Sequence, residues 1–309
     1  MRPTTHLMLP RALQEVDIFA KTVDAITTSE FRNRALYPAK ALLFTRRNQK
    51  TQTLRESLPT FLPAINKWFV CRGRHSASLS SQYLSPFAHT LVPYEIIGPA
   101  QSSLADLLMA VYTPQPHPSN AAPSDCFHQF HAPLSLLLHS SAVGLYVAQA
   151  SLQQLPEELK KDLPVPHIVR EAGRGDIYDA NLWLGNPPTY TPLHKDPNPN
   201  LFCQLAGRKR VRLYSPKVGL EIFREVRLSL GDTDSRGTIR GREMMEGFER
   251  VELERTVWGP GSEQMWEGME VDLEAGDSLF IPEGWWHTIR GLKEGVEGEV
   301  IASVNWWFR

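Results

Sequence analysis

The sequence predicts a mainly β fold with flanking helices, built as a jelly-roll or barrel. Two observations carry that expectation. From Asp176 to the C-terminus, short runs rich in β-branched and aromatic residues recur between turns that contain Gly and Pro. Helical spacing of apolar residues gathers ahead of that point.

Leu13, Val16, Phe19, Val23 and Ile26 recur at helical spacing, which predicts one or two surface helices over residues 11–35. Residues 39–44 (AKALLF) read as a short buried strand. Residues 51–69 are helical in part and broken at Pro59 and Pro63. A Ser-rich stretch, SASLSSQYLS, precedes residues 89–97 (HTLVPYEII), whose β-branched and aromatic content predicts a strand. Residues 113–125 hold four prolines and little to bury, and read as a loop or disordered insertion. A strand resumes at residues 145–148, and LQQLPEELKKDL forms a short helix before Pro164. Sixteen of the thirty-five residues from Glu221 to Arg255 are charged, with both signs mixed. That stretch is expected to be a solvated excursion between strands, with a substrate-facing lid as the alternative.

Composition narrows the class. The chain of 309 residues is 42% hydrophobic and 22% charged, with a formal net charge of -1. That balance gives no general drive toward nucleic acid or an anionic membrane. Cys71, Cys126 and Cys203 are scattered, so neither a disulfide framework nor a structural zinc site is expected. No apolar run approaches the roughly 18 residues of a membrane span. The expectation is an intracellular soluble monomer in cytoplasm or nucleus, without a membrane partner and with nucleic acid disfavoured.

The chemistry concentrates between Thr191 and Tyr214. His194 and Asp196 are two apart, so on an extended strand both project from one face, as a metal-binding HxD pair requires. Alone the motif recurs by chance. In the run 208–214 (RKRVRLY) three arginines share one face, while Lys209 shares the other with Val211 and Leu213. An ammonium on an apolar, inward face needs a partner. An anionic ligand, a distant acidic side chain and solvent at the barrel mouth all satisfy it. His287 ends the run GDSLFIPEGWWH, either as a third ligand or as a packed core residue. Two histidines and one carboxylate form the facial triad of non-haem Fe(II) oxygenases. Asn305, a lone amide in the apolar run SVNWWF, is expected to be satisfied internally.

In this order, TPLHKDPNPNLFCQLAGRKRVRLYSP, GDSLFIPEGWWH and SVNWWF resemble the JmjC family of Fe(II)- and 2-oxoglutarate-dependent oxygenases, and within it the small hydroxylase branch of the arginyl-hydroxylase type. The resemblance covers about 145–214 and 271–309, and extends back to VPYE at 92–95. It implies a double-stranded β-helix (jelly-roll, cupin-like) JmjC domain over 101–309, with loop insertions at about 113–125 and 221–255. Residues 1–100 would form a helical and strand region packed on that core. It implies His194, Asp196 and His287 as iron ligands, and Lys209 as the partner of the distal carboxylate of 2-oxoglutarate, assisted by Thr191 and Tyr146. Asn200 and Asn305 match positions lining the cosubstrate and O2 site. Glu95 and Trp183 match positions that flank a substrate guanidinium. The implied activity is hydroxylation of a protein or peptide side chain, arginine favoured. The alternatives are demethylation of N-methyl-lysine or N-methyl-arginine, and a non-catalytic cupin-like binding module.

Overall fold

The structure is a computed structural model and describes residues 12–45, 61–98, 126–139, 144–231 and 247–309. The expected insertion at 113–125 lies outside the described residues. In chain order the strands are β1 (Leu13–Glu15), β2 (Asp17–Phe19), β3 (Leu42–Phe44), β4 (Phe69–Cys71), β5 (Ala77–Leu79), β6 (Leu91–Gly98), β7 (Cys126–Pro133) and β8 (Tyr146–Ser151). They continue with β9 (Ile177–Gly185), β10 (Tyr190–Lys195), β11 (Asn200–Ala206), β12 (Arg208–Tyr214), β13 (Gly268–Leu273), β14 (Ser278–Ile281), β15 (Trp286–Leu292) and β16 (Ile301–Phe308).

Two sheets face each other. The larger runs β2-β3-β14-β11-β16-β9-β8-β6-β7 and the smaller β1-β13-β12-β15-β10. Two sheets over an alternating core are the arrangement of a jelly roll. The turn at Gly207 carries the chain from one sheet to the other. Its φ is +65°, and a Cβ there would lie 2.8 Å from the Val300 carbonyl oxygen, so only glycine fits.

Alternation along the strands sorts residues into three layers. Between the sheets, Phe202, Val211, Leu213, Leu273, Leu279 and Ile289 form an apolar plug. Behind the larger sheet, its outward residues Leu182, Leu184, Leu201, Val304 and Trp306 pack on Phe31, Ala35, Leu62 and Trp68. Behind the smaller sheet, Leu193, Tyr214 and Trp286 pack on Ile222, Phe223, Leu253 and Val257. The outward arginines of β12 find carboxylates on neighbouring segments: Arg210 with Asp272 at 2.6 Å, Arg212 with Glu270 at 2.6 Å and Arg208 with Glu294 at 2.8 Å.

The expected helices over residues 11–35 begin later than their spacing indicated. Leu13–Glu15 and Asp17–Phe19 are strands, paired parallel with Gly268–Glu270 and with Leu42–Phe44. Helical turns start only at Val23. Backbone pairing with distant strands outweighs the local period, and the turns are not superficial: Phe31 and Ala35 are fully buried. Buried Asp162 ties this region down, accepting from Lys67 Nζ at 2.5 Å, Trp68 Nε1 at 2.9 Å and the Tyr83 hydroxyl at 2.5 Å.

Within the charged stretch 221–255, residues 232–246 lie outside the described residues, and the described remainder is not simply a solvated loop. A helix covers Pro216–Ser229, capped where the Ser215 hydroxyl accepts from the Val218 N–H, and a second covers Gly247–Trp258. Ile222, Phe223 and Val226 form an i, i+1, i+4 stripe that seats the first helix on the outer face of the smaller sheet.

Candidate metal centre

β10 and β15 run antiparallel, and His194 stands directly opposite His287. Between Thr191 and His194 the register shifts against Ile289 and His287. That bulge sets two residues, Pro192 and Leu193, against Thr288 alone and keeps both Thr191 and His194 on the inner face. Asp196 follows at the strand end. One ligand atom from each of His194, Asp196 and His287 lies within 4.8 Å of the others. His194 Nε2 is 3.8 Å from Asp196 Oδ1, His287 Nε2 is 3.5 Å from Asp196 Oδ2, and the imidazole centroids are 4.2 Å apart.

The imidazoles are oriented through their other nitrogens. His194 Nδ1 lies 2.8 Å from the Pro192 carbonyl oxygen and His287 Nδ1 lies 3.2 Å from that of Trp285. A proton on each Nδ1 donates to its carbonyl and leaves the Nε2 lone pair free toward Asp196, the arrangement of a ligating histidine. Burial, with His194 alongside, pushes the His287 pKa down to about 4, so it stays neutral at pH 7. Burial would raise the Asp196 carboxyl, but the imidazoles, the Trp307 indole and the Asn200 amide together hold it below the usual carboxylate range. Two imidazoles and a carboxylate on one side of a small space suit Fe(II).

Lys209 lies deeper, between the sheets, and is 2% exposed. Its Nζ donates to the Ser303 hydroxyl at 2.8 Å and to the Tyr146 hydroxyl at 3.2 Å. It also lies over the Phe202 and Tyr146 rings, 5.2 Å and 5.7 Å from their centroids. No carboxylate pairs with it among the described residues. Desolvation lowers its pKa to about 7. A buried ammonium held by neutral oxygens and rings fits one carboxylate of a diacid. Burial, and Glu95 nearby, raise the Tyr146 hydroxyl pKa, so that oxygen remains a neutral donor.

The other anticipated residues take up positions around this pair. Asn200 Nδ2 donates to Asp196 Oδ2 at 3.0 Å, Asn305 Nδ2 to Asn200 Oδ1 at 3.3 Å, and Trp183 Nε1 to Asn305 Oδ1 at 2.8 Å. The lone amide of Asn305 is thus satisfied internally. Glu95 stands opposite Tyr146 in the β6–β8 ladder, accepts from Gln129 Nε2 at 2.9 Å and has its pKa raised by burial. The Trp183 ring tilts toward Tyr146 at 6.1 Å. Thr191 shares its row with Ile289 and Val211, one pair of residues along from Lys209. Its carbonyl accepts from the Thr288 hydroxyl at 2.8 Å, and that hydroxyl accepts from Trp258 Nε1 at 3.0 Å.

Two contributors escaped the sequence reading. Ser303 is a small hydroxyl in an apolar strand, and its only signal is a place two residues before Asn305 on the same face. Trp258 ends the helix Gly247–Trp258 just beyond the charged stretch 221–255, whose charge count concealed the packing of that helix.

A family profile described as a cupin-like domain matches residues 119–309, well over half the chain. The chain belongs to the cupin-like domain family. Its curated relatives carry the JmjC label or a demethylase name. Over 163 residues this chain is 30% identical to "Lysine-specific demethylase JMJ30" of Arabidopsis thaliana, a match that covers 53% of this chain and 33% of the relative. Over 167 residues it is 32% identical to "Lysine-specific demethylase 8" of Danio rerio, covering 53% and 36%. Over 168 residues it is 28% identical to "Jumonji C domain-containing protein 5" of Drosophila melanogaster, covering 52% and 36%. The matched region therefore spans about a third of each of these relatives. JmjC oxygenases use Fe(II) and 2-oxoglutarate with O2, and the His-Asp-His set and the unpaired Lys209 ammonium suit that pair. Among the described residues, no helix is long and apolar enough to cross a membrane.

Proposed function

We propose that this protein is an Fe(II)- and 2-oxoglutarate-dependent oxygenase that hydroxylates a side chain of a protein or peptide, with arginine favoured. The observation that carries the oxygenase reading is a three-donor cluster on one side of the barrel with a buried, carboxylate-free ammonium behind it. His194, Asp196 and His287 would hold the iron. Lys209 would hold the distal carboxylate of 2-oxoglutarate, with the Tyr146 and Ser303 hydroxyls orienting the ammonium and Thr191 beside it. When bound, iron and cosubstrate together supply the oxidising power for C–H hydroxylation, O2 being the oxidant and 2-oxoglutarate leaving as succinate and CO2. The chain's own part is to bind, orient and keep water out. The apolar plug and the Phe202 ring close the inner end of the site, and Asn200 fixes the carboxylate ligand.

Arginine is favoured because Glu95, a half-buried carboxylate, and Trp183 line the same inner face as Tyr146. A planar cation needs an acceptor and a flat wall, which this pair supplies. The second reading is demethylation of N-methyl-lysine or N-methyl-arginine, and the names of two of the relatives, both lysine-specific demethylases, support its lysine form. One experiment separates the readings. Purified protein is incubated with iron, 2-oxoglutarate and a panel of arginine, lysine and N-methylated peptides, and the products are weighed by mass spectrometry. Addition of an oxygen atom to an unmodified arginine supports the first reading and loss of a CH2 the second. Absence of succinate release with every peptide favours a non-catalytic binding module.

A further inference from the structure

The bonds that end on Asp196 form a chain with a fixed direction. Trp183 stands on β9, Asn305 on β16 and Asn200 on β11, three neighbouring strands of the larger sheet, and Asp196 lies just beyond β10. An indole N–H can only donate and a carboxylate can only accept. With Trp183 donating at one end, Asn305 must turn Oδ1 toward it and Nδ2 toward Asn200. Asn200 must then receive on Oδ1 and donate from Nδ2 to Asp196 Oδ2. Turning either amide over would set acceptor against acceptor at one contact or donor against donor at the other. Asn200 and Asn305 are 3% and 1% exposed, so water cannot repair such a mismatch.

We propose that Trp183 is a positioning residue for the metal centre. Its N–H holds both amides in the orientation that presents Asn200 Nδ2 to Asp196 Oδ2, and so fixes the rotation of that carboxylate against the two imidazoles. A carboxylate held in one rotation keeps the three donor atoms in register on one side of the site and the remaining coordination positions for other ligands. A wall of the substrate pocket is thereby tied mechanically to a metal ligand. The idea rests on the metal-centre reading above, and goes beyond it in giving the tryptophan a task that does not require substrate.

The test uses the whole chain, without substrate, and reads Co(II) binding by its visible absorption. Asn200, Asn305 and Trp183 act through neighbours, and loss of such supporting bonds typically weakens metal affinity about 10- to 100-fold. Trp183→Phe keeps the ring and removes the N–H. Asn305→Asp keeps the shape and replaces the donor facing Asn200 with an acceptor. Both are expected to weaken Co(II) binding about tenfold, and to alter the intensity of the visible bands as the Asp196 carboxylate loses its fixed rotation. Trp306→Phe is the control for a purely structural effect: Trp306 is fully buried on the opposite face of β16, in the core behind the larger sheet, and its side chain is not a member of the hydrogen-bonded series. It is expected to lower stability and leave the Co(II) spectrum and affinity unchanged. Wild-type affinity and spectrum in Trp183→Phe would overturn the proposal, as would an equal loss in Trp306→Phe. If Asn305→Asp does not fold, the Trp183→Phe comparison decides alone. Failure of the wild type to bind Co(II) in a manner abolished by His194→Ala would instead overturn the metal centre itself.

Discussion

The Lys209 ammonium of β12 reaches across the space between the sheets to the Ser303 hydroxyl of β16, 2.8 Å away, and has no carboxylate partner among the described residues. A charge so placed costs stability until an anion arrives, and that cost has a pH signature. Burial lowers the folded-state pKa to about 7, against roughly 10.4 for an unfolded lysine. Between those values the unfolded chain binds more protons than the folded one, so stability rises with pH across that window. Below pH 7 the ammonium is charged in both states and the penalty is fully present. Lys209→Met is therefore expected to be more stable than wild type at pH 6, by on the order of a few kcal/mol, with the advantage shrinking toward pH 10. Urea unfolding at both pH values checks it, and equal differences at the two would contradict the pKa assignment.

The same lysine predicts how cosubstrate binding varies with pH. A dianion stabilises the ammonium form, so above pH 7 binding of 2-oxoglutarate must take up a proton. Wild-type affinity should fall as pH rises from 7 to 9. Lys209→Met should bind far more weakly at both values and lose the slope. Ser303→Ala removes one of two hydroxyl partners and should raise the 2-oxoglutarate requirement about tenfold, the scale of one hydrogen bond to a charged group. Calorimetric titration in two buffers of different ionisation enthalpy measures affinity and proton uptake together.

What the residues alone disclosed follows from how far each signal travels along the chain. The inward side of Lys209 was legible because strand alternation is local, and Val211 and Leu213 mark the face. The HxD pair was legible for the same reason. The meeting of His194 with His287 was not, since their register depends on pairing strands ninety residues apart; only the resemblance placed them together. Ser303 was passed over because one hydroxyl in an apolar strand looks like filler until Lys209 is seen to reach it. Residues 13–19 carried a helical period that pairing with β13 and β3 overrode. In the stretch 221–255 the error ran the other way. Its charges suggested solvent, while Ile222, Phe223 and Val226 already spelled the buried side of a helix.

Metal binding should register as stability. An ion that binds only the folded chain stabilises it by about 2.7 kcal/mol at a hundred times its dissociation constant. Mn(II) or Co(II) is expected to raise the melting temperature of the wild type, and a chelator to reverse the change. His194→Ala should fold, since His194 is half-buried at a strand end, yet show no metal-dependent rise and no metal-dependent turnover of 2-oxoglutarate. A rise as large as that of wild type would remove His194 from the ligand set.

Gly219 offers a way to ask whether the helix Pro216–Ser229 supports the metal centre. A Cβ at this position would lie 2.1 Å from Trp286 Cγ and 2.2 Å from Cδ1, far inside contact distance, so the helix rests directly on that indole. Trp286 is the neighbour of His287 on β15, turned outward where the histidine turns inward. Gly219→Ala must therefore lift the helix or push the indole, an overpacking that costs about 1–3 kcal/mol. Lifting the helix would lower stability and leave metal affinity alone. Pushing the indole would shift β15 and weaken metal binding as well. Phe223 stacks on the same indole with centroids 5.5 Å apart, and the capped first turn fixes the helix on the strand end, so the indole has less room to yield than to transmit. The expected outcome is a loss of stability together with a several-fold loss of Co(II) affinity, measured on the same preparation by thermal unfolding and by titration. A stability loss with unaltered affinity would show that the helix covers the sheet without bearing on the site.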